Sequence, residues 1–154
     1  MTKQYIVVIG SDHAGFDMKQ SVKNFLLNQD WFVNGHSEIV DVGCNGPDRC
    51  DYPDIAFSII EKIKEFQNDR VFGVAICGTG IGMSICLNRD KHIRAALCDD
   101  GFTTEMSRRH NNANVIALGA RVIGYETAQH LVKQFMTTSF DKGRHLDRIN
   151  KFSV

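Results

Sequence analysis

The 154-residue sequence has no excess of charge, since eighteen lysines and arginines meet eighteen aspartates and glutamates. Such a balance gives no electrostatic reason for a nucleic-acid or anionic-membrane partner. A long apolar run is missing too. The opening "MTKQYIVVIGSDHAG" stays apolar over only about five residues before Asp12 and His13, too briefly for a signal peptide or a membrane span. No cysteines are spaced C-x-x-C, and the five present (Cys44, Cys50, Cys77, Cys86 and Cys98) make an odd number. That count argues against a disulfide framework and a zinc site and fits a reducing cytoplasm. Internal repeats, linkers and low-complexity segments are also absent.

What is present reads as one globular domain over residues 1–154, with 43% hydrophobic and 23% charged residues. Short runs rich in β-branched residues occur at 5–10, 38–43, 72–77, 93–98 and 114–119. Several are apolar at successive positions, the pattern of parallel strands covered on both faces. Between them lie helical faces: Met18, Val22, Phe25 and Leu26; Ala56, Ile59, Ile60 and Ile63; Ala128, Leu131, Val132 and Phe135. Pro53 suits a first helical turn. The alternation predicts an α/β fold: a Rossmann-like, doubly wound parallel sheet of five strands with helices on both faces. Residues 45–51, "NGPDRCD", form the most loop-like stretch.

In such sheets ligands sit beyond the carboxyl ends of the strands. The third strand ends there in "AICGTGIGMS", with Cys77 followed by Gly78, Thr79, Gly80, Ile81 and Gly82. Glycine N–H groups at a helix start can hold an anion. The dinucleotide fingerprint requires G-x-G-x-x-G after the first strand, and a P-loop requires a lysine after its last glycine; neither is met. From spacing alone, Cys77 is equally a buried core thiol or a reactive one, because a thiol at a helix N-terminus ionises more readily. Cys86 and Cys98 lack the glycine setting and read as core thiols.

Other polar clusters carry a plain reading and a functional one. Asp12 reads as a helix cap and His13 as a surface residue, yet both fall on the same sheet edge as Cys77. His110 and Asn111, with Asn112, can simply end a helix, and Arg121 follows the last strand. His110 would then lie at the amino end of a strand, across the sheet from Cys77. A second copy of the chain is the simplest way to bring the two together. Arg144 and Arg148, one helical turn apart, are a solvated face or a fork for phosphate.

Taken together, "GSDHAGF", "DYPDIA", "CGTGIGMSI", "IRAALC", "RRHNNANVIALGARVIG" and "GRHLDRI" occur in an order that resembles the type B ribose-5-phosphate isomerase family. That family also includes the galactose-6-phosphate isomerase subunits. The resemblance implies an aldose–ketose isomerase working through an enediolate, without metal or cofactor. Cys77 would be the base, with Thr79 and the 78–82 turn at the enediolate oxygens. His110 would assist ring opening and Asn111 would bind near the reacting carbons. Asp12 and Tyr52 would meet sugar hydroxyls, and His13, Arg121, Arg144 and Arg148 the phosphate and sugar. One branch of the family carries a glutamate base where Met83 stands, which places this chain with the cysteine type. Homodimers or tetramers with sites at the subunit interface are implied as well. A hexose 6-phosphate is the alternative substrate, and a nucleotide-binding module the alternative class.

Overall fold

The computed structural model describes residues 4–152. Strand β1 covers Ile6–Ser11, β2 Glu38–Asp41, β3 Val71–Cys77, β4 Ala95–Leu97 and β5 Val115–Gly119. All pair in parallel, in the order β2-β1-β3-β5-β4. The helices are α1 (Phe16–Leu27), α2 (Asp30–Val33), α3 (Tyr52–Lys64), α4 (Ile81–Leu87), α5 (Gly101–Arg109), α6 (Tyr125–Thr137) and α7 (Arg144–Asn150). This is the expected Rossmann-like sheet. Among the described residues, no helix is long and apolar enough to cross a membrane.

Alternation along the strands divides the interior into two layers. Val7, Ile9, Val74, Ile76, Ile116 and Leu118 face the side covered by α1 and α6. Val8, Ala75, Cys77, Val115 and Ala117 face the side covered by α3 and α4. The predicted helix faces are the ones buried, except that Phe25 is only partly covered. Pro53 lies in the first turn of α3. Cys98 is buried, whereas Cys86, expected in the core, is only half-buried.

Strand ends differ from the sequence reading for local reasons. The second strand stops at Asp41 because its carboxylate turns to accept from the Gly43 N–H at 2.9 Å. The fourth shrinks to three residues, and at its start the Ala95 N–H donates to Asn88 Oδ1 and the Arg94 N–H to Asn114 Oδ1, both at 2.8 Å. Helix α1 starts at Phe16 after a short 3₁₀ turn over His13–Gly15.

Asp41 also binds Lys19, whose side chain is 1% exposed, at 2.9 Å, and Lys23 at 2.7 Å. Burial alone would raise its pKa, but the hydrogen bonds from Lys23, Lys19 and Gly43 outweigh this and leave it below the usual carboxylate value. A depressed folded pKa stabilises the fold above the unfolded pKa of about 3.9 and is lost as pH falls through the folded value. Asp41→Asn is therefore expected to cost stability at neutral pH, with the gap to wild type narrowing towards pH 3. Urea unfolding at both pH values measures this, and a constant gap would contradict it.

Candidate active site

Strands β1, β3 and β5 end side by side, and their following turns clasp one another through backbone. The Asp12 N–H donates to the Ile76 carbonyl at 3.1 Å, Ala120 N–H to Cys77 at 2.9 Å, and Arg121 N–H to Gly78 at 2.9 Å. Gly119 lies so close to Thr79 that a Cβ there would stand 2.7 Å from the Thr79 carbonyl oxygen. We expect Gly119→Ala to cost about 1–3 kcal/mol and to displace the 77–80 turn, lowering activity with stability. Calorimetric melting and turnover measured together test this; wild-type values for both would refute it.

Within this frame Cys77 is 4% exposed and its Sγ accepts from the Gly80 N–H at 3.1 Å. Gly80 can aim that donor because it sits at φ +78, a left-handed conformation that suits glycine. Thr79 is exposed, and its Oγ1 accepts from the Ile81 N–H at 3.3 Å. The Tyr52 ring lies against Gly82, where a Cβ would meet its Cζ at 2.5 Å. The Arg121 side chain lies over Gly78, with Nη1 3.2 Å from a Cβ position there.

Asp12 is buried and caps the 3₁₀ turn, its Oδ1 accepting from Ala14 at 3.0 Å and Gly15 at 3.2 Å. Its cap reading holds, and Oδ2 has no protein partner among the described residues. His13 is exposed, with Nδ1 3.3 Å from both the nitrogen and the carbonyl oxygen of Cys50; the tautomer decides which bond forms. The structure thus brings Asp12, His13, Tyr52, Cys77, the 78–82 turn and Arg121 to one end of the sheet.

His110, Asn111, Arg144 and Arg148 lie elsewhere. His110 ends α5 and Asn111 follows it, both before β5 begins, whereas Arg121 comes after β5 ends. Five strand residues at ~3.3 Å each separate the two groups by roughly 16 Å. The His110 ring stacks on His145, with centroids 4.2 Å apart and planes 9° apart. Sequence reading missed His145, although it stands between the two arginines in "GRHLDR". Burial, then the charges of His110, Arg144 and Arg148, push the His145 pKa below the usual imidazole value. Arg144 and Arg148 are exposed and make no ion pair among the described residues.

His110, Asp141 and His145 each offer one ligand atom within 4.8 Å of the others, the one group of potential metal ligands among the described residues. Asp141 is already held by Arg109 at 3.2 Å.

A family profile described as Ribose/Galactose Isomerase matches residues 7–152. The chain belongs to this family. A solved ribose 5-phosphate isomerase from Thermotoga maritima is 42% identical, covers 97% of each chain and superposes with a TM-score of 0.87. Ribose-5-phosphate isomerase B of Mycoplasma genitalium, solved with bound ribulose-5-phosphate, is 34% identical over 97% of this chain and 94% of its own, with a TM-score of 0.86. A D-erythrulose-4-phosphate isomerase from Pectobacterium atrosepticum is 37% identical over 145 residues, 94% of this chain and 91% of its own. Membership makes this chain an aldose–ketose isomerase, and the family's relatives differ in the sugar phosphate they are named for.

Proposed function

We propose that this chain interconverts D-ribose 5-phosphate and D-ribulose 5-phosphate, with Cys77 as the base. The observation that carries the reading is the Cys77 sulfur itself, at a strand end, receiving an N–H from a left-handed glycine in the turn that follows. That donor holds a thiolate in place, and the thiolate removes the C2 proton of the open-chain aldose. The electron pair left behind forms the C1–C2 double bond of the enediolate, and the negative charge moves to oxygen. N–H groups of the 78–82 turn and the Thr79 hydroxyl stabilise that oxygen, and one such donor is worth about 3 kcal/mol of barrier. The C2 hydroxyl proton passes to O1, and the proton held on sulfur then returns to C1, giving the ketose with its C2 carbonyl. No electrons leave the substrate, so the chemistry requires no redox cofactor.

His110 protonates the ring oxygen for ring opening, Asn111 holds the reacting carbons, and Asp12 and Tyr52 take hydroxyls. His13, Arg121, Arg144 and Arg148 bind the phosphate end, whose binding energy aligns the reacting carbons. Because His110, Asn111, Arg144 and Arg148 lie at the other end of the sheet, a second copy of the chain supplies them in a homodimer or tetramer. An apolar rim on the Cys77 end supports this pairing: Phe102 is 72% exposed, Ile85 55%, Val122 54% and Ile81 51%.

The substrate is tested by comparing kcat/KM for ribose 5-phosphate, D-erythrulose 4-phosphate, and allose and galactose 6-phosphates. The pentose phosphate is expected to be fastest. A faster tetrose or hexose phosphate would replace it, and no turnover of any would overturn the proposed reaction.

A further inference from the structure

At the end of the sheet where the strands begin, a groove of about 910 Å³ opens between the start of β3, the α6–α7 connection and the segment before β5. Two arginines, Arg94 and Arg108, form part of its wall. Arg108 is 7% exposed and Arg94 is half-buried.

Both are fixed by the same short segment. Arg94 Nε donates to the Asn112 carbonyl at 2.8 Å. Arg108 Nη1 donates to Asn112 Oδ1 at 3.0 Å and to the Ala113 carbonyl, and its Nε donates to Thr138 at 3.3 Å. Asn112 adopts φ +44, a left-handed conformation that asparagine tolerates better than most residues. Its main-chain and side-chain oxygens therefore each hold a different arginine. The Arg108 guanidinium also lies 4.9 Å from the Phe72 ring centroid and 5.5 Å from that of Phe135.

No carboxylate pairs with either arginine among the described residues. Carbonyl oxygens and aromatic faces offset part of the charge, but the two cations repel each other in a partly dry wall. Burial, and then the Arg94 charge, push the Arg108 pKa down to about 10. Arg70 and Lys142 add positive charge at the rim, and Asp69 is the one acidic residue in the lining. A mobile anion shared by both guanidiniums would relieve the repulsion and occupy the donors that the protein leaves open.

We propose that this groove is a second, anion-binding site that takes the phosphoryl group of a small organic phosphate between Arg94 and Arg108. Tyr5, Phe66 and Phe140 in the same lining give an organic body an apolar surface. The site is separate from the turn at Cys77 and does not depend on the proposed isomerisation.

Inorganic phosphate is the probe, titrated calorimetrically into the full chain carrying Arg144→Gln and Arg148→Gln. Those changes remove two proposed substrate-phosphate contacts, and a binding readout keeps the outcome independent of catalysis. One phosphate per chain is expected to bind, and adding Arg94→Gln is expected to weaken it about tenfold or more. Arg94→Lys retains a cation but loses the planar fork, so its affinity should fall between the two; it also provides the comparison if Arg94→Gln does not fold. Absence of phosphate binding in the parent variant overturns the site. So does an affinity that neither Arg94 substitution changes.

Discussion

Cys77→Ala is expected to lower kcat by about three to four orders of magnitude, the upper part of the range for a lost general base, while the fold survives. The removed atom is one sulfur on a side chain that is already small. The strand beneath it stays paired with both β1 and β5. A melting temperature within a few degrees of wild type is therefore expected. KM should change little, because a base acting on the C–H bond contributes to the transition state more than to ground-state binding. Cys77→Ser is the sharper control: it nearly preserves shape but offers a hydroxyl that is not ionised at neutral pH. Its kcat should fall with that of the alanine variant. Steady-state kinetics in both directions, with circular-dichroism melting, measure all of this. Turnover within tenfold of wild type in Cys77→Ala would remove the thiol from the mechanism.

Mixing two dead variants should restore activity. If Cys77 and His110 of one site come from different copies, a Cys77→Ala homodimer and a His110→Gln homodimer each have no intact site. A hybrid has one intact site and one doubly altered site. Random exchange of equal amounts makes about half of the dimers hybrid, so about a quarter of wild-type activity is expected. Subunit exchange is checked independently by native mass spectrometry on isotopically distinct chains. Hybrids that form without activity would place Cys77 and His110 in separate sites, or His110 outside the mechanism.

Much of the scaffold was readable from local pattern. The unbroken apolar runs in "YIVVIG" and "FGVAIC" record two-sided burial, and the structure places successive residues in opposite layers. Asp12 was readable as a cap because capping is a contact between near neighbours in sequence. Strand order then carries Asp12, Cys77 and Arg121 to one end, which the topology of a doubly wound sheet anticipates. Long-range partners were not readable. Nothing near Lys19 in sequence predicts a lysine that is 1% exposed, because its partners, Asp41 at the end of β2 and the Cys44 carbonyl just after it, are distant in the chain. His145 stacking on His110 depends on how α7 returns against α5, a packing outcome that no local period encodes. Gly119 looked like an ordinary strand end until the closeness of Thr79 was visible.

The backbone clasp around Cys77 also sets how this site can be redesigned. Gly15 packs against Ile76 and Gly119 against Thr79, so added side-chain bulk on the floor collides with main chain that cannot rotate away. Change is easier at the margin, where His13 meets Cys50 and Tyr52 follows the irregular 45–51 stretch. A library aimed at sugars of another length would therefore keep the floor fixed and diversify that margin.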